Sequence, residues 1–133
     1  MVTDAAGSGY AEASSIWAQT IGDAFLLVRG NVGRILYTRG PTFVRAYDGV
    51  SVATSPTVTS YYKNPTPLAS TWGTGLTAYA NGTGGTAVAY DGTMGSGNLG
   101  IGHKNNGSFP WNGTIREVKI FNSELTAEEI GDL

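Results

Sequence analysis

Ten carboxylates carry most of the reactive potential of this chain: Asp4, Glu12, Asp23, Asp48, Asp91, Glu117, Glu124, Glu128, Glu129 and Asp132. Glycoside hydrolysis needs two carboxyl groups flanking one cleft. A strand presenting such a pair would read E-x-D or E-x-E, and no strand-like segment here has that spacing. Glu124, Glu128 and Glu129 fall together near the end, where they read as solvated charges and partners of a helix N-terminus. There is no G-x-S-x-G nucleophile elbow. The one histidine, His103, lies beside Lys104 and supports neither a paired-His metal site nor a triad. The absence of cysteine removes disulfides, thiol nucleophiles and Cys-zinc sites. Gly95-Ser96-Gly97-Asn98-Leu99-Gly100 matches G-x-G-x-x-G, but a dinucleotide site needs a helix after the last glycine. The following Ile101 to Gly107 is not helical in pattern, so the run reads as a turn.

What remains is binding chemistry. Asp48 and Asp91 are the candidates for a calcium site, with Asn98, Asn105 and Asn106 as further oxygen donors in turns. The competing reading is that Asp and Asn in turns serve the turns themselves. Trp17, Trp72, Trp111, Tyr61, Tyr62, Tyr79 and Tyr90 offer rings with a polar edge, which suit stacking on sugars as well as packing in a core. Tyr61 and Tyr62 lead, because neighbours on a strand face opposite ways and one of them is then exposed. Together with Asn81 and Asp91 they form the candidate ligand-binding set. Asn81-Gly82-Thr83, Asn106-Gly107-Ser108 and Asn112-Gly113-Thr114 match the glycosylation sequon but read first as turns.

These residues must be held by short strands. The chain has 133 residues, enough for one domain, 1–133, with a core of its own. Twenty glycines, about twice the usual share, accompany 16 Thr and 10 Ser. Eight Lys plus Arg against ten Asp plus Glu give a net charge of -2, a poor footprint for nucleic acid or an anionic membrane. No apolar run reaches membrane-spanning length, and the opening residues lack the pattern of a signal peptide.

Residues 1–15 are small and polar and read as an extended arm or a weak first strand. Phe25 to Val28 reads as a buried strand. Arg34 to Arg39 reads as another, with Ile35 and Tyr37 on one face and Leu36 on the other. Phe43 to Tyr47, Val50 to Thr54, Thr57 to Tyr62, Leu76 to Ala80, Thr86 to Tyr90 and Asn98 to Gly102 follow. Pro65 and Pro67 read as a break. Thr114 to Phe121 is the longest strand, with Ile115, Glu117, Lys119 and Phe121 facing away from Arg116, Val118 and Ile120. Asx-Gly dipeptides at 48–49, 81–82, 91–92, 106–107 and 112–113 are hairpin signals, since a type I′ turn needs two positive φ angles. Short strands so spaced indicate a sandwich or barrel. Thr126-Ala127-Glu128-Glu129 is a capping box that opens one helical turn carrying Ile130 and Leu133.

The last third resembles the laminin G-like branch of the concanavalin A-like lectin/glucanase superfamily. The resemblance lies in Leu99-Gly100-Ile101-Gly102, in Phe109 to Asn122 around Trp111-Asn112-Gly113, and in Leu125 to Ile130. Ala69 to Gly73 with Leu76 to Gly82 resembles the central hairpin of that family. The resemblance implies an all-β fold: a two-sheet antiparallel β-sandwich, the concanavalin A-like jelly roll, with one short C-terminal helical turn. It would bury Val118 and Ile120 and cap one open end with Ile130 and Leu133. Arg116 stands where the family usually has an acid, and no glucanase signature is present, so the resemblance implies a non-enzymatic module.

The first expectation is a structural or recognition component of a bacteriophage virion, a capsid decoration or tail-fibre protein at the virion surface. Its partners would be other virion proteins or copies of itself. The alternative is a carbohydrate-binding module at an extracellular or bacterial surface with a cell-surface glycan as partner, and a glycoside hydrolase stands behind both. No cofactor is required, calcium being the one candidate.

Overall fold

A computed structural model describes residues 5–15, 23–29, 33–39, 43–57, 64–94, 98–103, 111 and 113–133. The strands, in chain order, are β1 (Gly7–Ser15), β2 (Asp23–Arg29), β3 (Gly33–Arg39), β4 (Val44–Tyr47), β5 (Val52–Thr54), β6 (Thr66–Trp72), β7 (Leu76–Ala80), β8 (Thr83–Gly84), β9 (Leu99–Ile101) and β10 (Gly113–Phe121). One helix, α1 (Ala127–Gly131), ends the chain. The strands form two antiparallel five-stranded sheets, in the orders β10-β1-β6-β7-β8 and β5-β4-β3-β2-β9. This is the expected sandwich.

The core lies between the sheets. It is built from Leu26, Leu27, Ile35, Leu36, Val44, Leu68, Trp72, Leu76 and Met94, all fully buried, with Ile115, Val118 and Ile120 packed on its margin. Each such side chain withdrawn from water stabilises the fold by about 1.5–3 kcal/mol.

The N-terminal segment corrects the reading of an arm. Gly7–Ser15 is a central strand, paired with β10 on one side and β6 on the other. Its small residues are what the packing demands. A Cβ at Gly7 would overlap the Trp72 ring, and one at Gly9 would overlap the Ile35 side chain. Large core residues from the neighbouring strands fill the space that β1 leaves, which is why the strand looks polar and featureless as sequence.

Three strands break simple alternation, each at a bulge. Register shifts in β2 and β3 place consecutive Leu26 and Leu27, and consecutive Ile35 and Leu36, all in the core. Tyr37 then turns outward to join Phe25 and Val28 in a separate cluster, so Ile35 and Tyr37 do not share a face. In β10, the shift opposite Glu12 and Ala13 brings Ile115 to the same side as Val118 and Ile120. A bulge adds one unpaired residue and reverses the facing of all that follow.

Pro65 and Pro67 do not break the chain. Pro67 lies inside β6, opposite Glu12 of β1. Its carbonyl accepts from the N–H of Asn81, just past the end of β7. The missing N–H of the proline therefore falls at the hairpin mouth, where the ladder has already ended. Thr86 to Tyr90 forms only the bridge Leu76↔Val88 rather than a strand. Of the described Asx-Gly pairs, Asn81-Gly82 has both φ angles positive, 52° and 79°, and makes the two-residue β7–β8 hairpin. The 57–62 strand and the 106–107 turn were expected in segments that lie largely outside the described residues.

The capping box forms as read. Thr126 Oγ1 accepts from Glu129 N, and Glu129 Oε2 accepts from Thr126 N. The helix does not plug an open end of the core. Ile130, with Leu125 and Leu133, packs on Tyr10, Ala69 and Tyr79 on the outer face of the first sheet.

Candidate functional site

The chain from β8 to Met94 stays bridged to β7 of the first sheet at Val88 and meets the edge of the second sheet at two places, Gly85 against Thr54 and Gly92 against Asp48. Two features lie on this seam, and a third lies on the outer face of the second sheet. The first is a junction at Asp48, which is fully buried at the end of β4. Its Oδ1 accepts from Val50 N at 2.8 Å and Ser51 N at 2.6 Å. Its Oδ2 accepts from Asp91 N at 3.1 Å and Gly92 N at 3.0 Å. Burial opposes the charge on this carboxylate, but the four N–H donors outweigh it and hold the carboxyl below its ordinary pKa. A carboxylate has about four lone-pair sites, and the backbone takes them all. Asp48 thus acts as a clamp between two loops, and its oxygens are spent before any cation could claim them. Asp91 contributes its N–H to this clamp while its side chain is exposed. Among the described residues no three His, Cys, Asp or Glu side chains gather.

The second feature is a cleft of about 480 Å³ between the end of β5 and the end of β8, lined by Thr54, Ser55, Pro56, Gly84, Gly85 and Thr86. Its size falls within the range of small-molecule sites. The floor is set by close backbone approach: a Cβ on Gly85 would overlap the carbonyl of Thr54. Ser55 is tied down, its Oγ accepting from Val44 N and donating to the Pro56 carbonyl. Thr86 is exposed and Thr54 half-buried. Among the described residues the lining is therefore hydroxyl, peptide and pyrrolidine, with no charged side chain.

The third feature is the outer face of the second sheet. Val44 and Ala46 point into the core, which turns Arg45 and Tyr47 outward. Arg34 lies over three rings there, its guanidinium carbon 5.0 Å from the Phe25 centroid, 5.4 Å from Tyr37 and 5.0 Å from Tyr47. Phe25 and Tyr37 meet edge to face at 5.8 Å. Arg45 is paired in register with Tyr37 on β3 and with Thr54 on β5. Its Nε is buried and has no hydrogen-bond partner among the described residues. An unsatisfied buried donor costs about 1–3 kcal/mol, more when charged.

The candidate residues of the sequence divide accordingly. Asp48 and Asp91 are brought together, through backbone N–H rather than through their two carboxylates. Asn81 sits apart at the β7–β8 turn, where Gly82 faces Gly131 of α1. Tyr61 and Tyr62 lie outside the described residues, as does Trp17. Trp72 and Trp111 are core residues, Trp111 donating from Nε1 to the Ser14 carbonyl at 3.1 Å. Tyr79 is buried under α1, and the Tyr90 hydroxyl accepts from Met94 N. The cleft residues and Arg45 were not singled out from the sequence. The doublet Gly84-Gly85 just after a hairpin is the signal that marks close backbone approach. Arg45, a charge alternating with Val44 and Ala46, marks an outward position on a half-buried strand.

Comparison with known proteins accords with this geometry. Residues 66–131 match the Laminin_G_3 family of the Concanavalin A-like lectin/glucanases superfamily. No curated protein sequence matches. Among solved structures, the chain resembles a Bacteroides ovatus ATCC 8483 protein assigned as carbohydrate-binding, with a TM-score of 0.74 at 12% identity, over 98% of this chain and 41% of that one. A heptameric SAP-like pentraxin from Limulus polyphemus gives 0.69 at 13% identity, over 98% and 71%. A botulinum neurotoxin type C structure, concerned with interaction with two ganglioside molecules, gives 0.55 at 14% identity, over 99% and 35%. The chain thus spans about two fifths of the Bacteroides protein. With ten antiparallel strands in two sheets and one short helix among the described residues, the chain has the concanavalin A-like fold, and its second half, residues 66–131, matches the Laminin_G_3 family of the Concanavalin A-like lectin/glucanases superfamily.

Proposed function

We propose that this domain is a non-catalytic carbohydrate-binding module, and that sugar occupies the Thr54–Thr86 cleft. The observation that carries the reading is the cleft itself: hydroxyls, peptide groups and one proline ring, on a sandwich shared with a protein assigned as carbohydrate-binding and with a toxin whose cell entry depends on gangliosides. Such a lining offers directional hydrogen bonds and a small apolar surface, which is what a pyranose presents in return. None of the six residues can move a proton near neutral pH, which favours binding over hydrolysis. The expected place on a virion draws no support from the fold or the relatives and forms no part of this reading.

A glycan array tests it, with Thr86→Tyr as the probe of the site. Thr86 is exposed, so a tyrosine there fills the cleft without entering the core. The wild-type domain should bind a defined set of glycans, and Thr86→Tyr should lose them by tenfold or more with an unchanged melting temperature. Glycan binding that is indifferent to Thr86→Tyr would move the site elsewhere, and no binding to any glycan would remove the reading.

A further inference from the structure

We infer that Arg45 reads an oxyanion, a carboxylate or a sulfate ester, on the sugar held in the Thr54–Thr86 cleft; the inference rests on the carbohydrate-module reading above. Arg45 is the cross-strand partner of Thr54, which lines the cleft. Ala46 and Ala53, paired between the same two strands, point into the core, so Arg45 and Thr54 share the outer face. Directly opposed residues of this kind stand about 5 Å apart at Cβ. A ligand that leaves the cleft across Thr54 therefore meets Arg45 next.

The state of Arg45 is what points to a ligand. Its Nε is buried and unsatisfied among the described residues. Among the described residues it has no ion-pair partner; the acids in ion pairs there, Glu12 and Glu117, lie on the other sheet with Arg116 and Lys119. Nearly every buried donor in a folded protein finds a partner. Here the strand alternation fixes Arg45 outward, and its neighbours on that face are Tyr37, Tyr47 and Thr54, none of them acidic. Tyr37 and Tyr47 already face the Arg34 guanidinium. Among the described side chains, that face thus carries the Arg34 and Arg45 guanidinium groups and no acid to pair with Arg45. The two Nη groups of a guanidinium match two oxygens of a planar or tetrahedral oxyanion.

The test compares matched sugars on the whole chain: lactose, 3′-sialyllactose, lactose 3′-sulfate, galactotriose and trigalacturonic acid, by titration calorimetry. The wild-type domain should prefer at least one acidic member over its neutral counterpart by about tenfold or more, and which member wins separates carboxylate from sulfate. Arg45→Gln should bring the acidic member down to the neutral level and leave neutral binding as it was. Arg45→Lys, which keeps the charge and loses the fork, should retain part of the preference. The preference should shrink as salt rises. Equal wild-type binding of acidic and neutral sugars, or a preference that survives Arg45→Gln, would overturn the inference while the module reading stands. Should Arg45→Gln fail to fold, a wild-type preference unmoved by salt and by Arg45→Lys overturns it equally. Absence of binding to every acidic and neutral glycan would remove both.

Discussion

The Asp48 clamp makes a sharp quantitative demand on the fold. Replacing Asp48 with Asn keeps the shape and removes the charge. The amide oxygen can still accept from Val50 and Ser51, the local half of the clamp. The amide nitrogen then confronts the N–H groups of Asp91 and Gly92, donor against donor, where the carboxylate had accepted at 3.1 and 3.0 Å. Two unsatisfied N–H groups cost about 1–3 kcal/mol each, so Asp48→Asn should lower stability by about 4 kcal/mol at neutral pH. Part of the adjoining structure should loosen with it, because Thr93 N donates to the Asp48 carbonyl and buried Met94 follows directly.

The pH dependence has a definite sign. Although burial favours the neutral acid, the four N–H groups prevail and the folded carboxyl titrates below its ordinary value. A carboxyl with a depressed folded pKa binds fewer protons folded than unfolded. Its contribution is complete above the unfolded value, about 3.9, and is lost as the pH falls through the folded one. Urea unfolding of wild type and Asp48→Asn at pH 7, 5, 4 and 3 measures this. The gap between the two proteins should be constant from pH 7 to 5 and should narrow below about 4. A gap under about 0.5 kcal/mol at pH 7, or one that stays the same width to pH 3, would refute the clamp.

Three further outcomes follow from single contacts. Trp111→Phe removes the bond from Nε1 to the Ser14 carbonyl while keeping most of the ring in place, and should cost about 1–2 kcal/mol in urea unfolding. Thr126→Ala removes one half of the capping box and should cost about 1 kcal/mol. The effects of Thr126→Ala and Glu129→Ala should fall short of additive, because each side chain caps the other's backbone. Gly9→Val drives a branched side chain into Ile35 at the middle of β1. It should destabilise by about 2 kcal/mol or more, measured by melting temperature, whereas Ser14→Thr near the strand end should be tolerated.

The fold could be read from the sequence where each strand obeyed its own period or ended on its own turn. Leu76 to Ala80 with Asn81-Gly82 is such a case, and so is the helix, because Thr126 and Glu129 satisfy each other across three residues. The reading failed where the controlling partner is distant. Nothing within residues 1–15 shows that Trp72 and Ile35 will occupy the space above Gly7 and Gly9. Nothing within Arg34 to Arg39 marks the bulge that sends Ile35 and Leu36 to one side. Pro67 looked like a breaker because its harmless position depends on where β7 stops.

The same distinction governs the site. Asp48 and Asp91 were legible as functional types, but their sequence separation hid the fact that one carboxylate would satisfy the other's backbone. The cleft was illegible because it belongs to no element: it opens where β5 and β8, both very short edge strands, stop pairing, and where Gly85 lets one backbone touch the other. Edge strands expose unpaired peptide groups. In this domain one edge is crossed by the 85–94 segment and clamped by Asp48, and the cleft lies at the end of β5 opposite that clamp. A chain that must keep peptide and hydroxyl groups available to a ligand, yet not pair with another strand, is served by that arrangement: the edge is short, crossed over, and open at one place. It follows that loosening the clamp should enlarge or blur the cleft. Asp48→Asn should therefore weaken glycan binding at temperatures where the domain is still folded, and binding unchanged in the folded mutant would separate the two features.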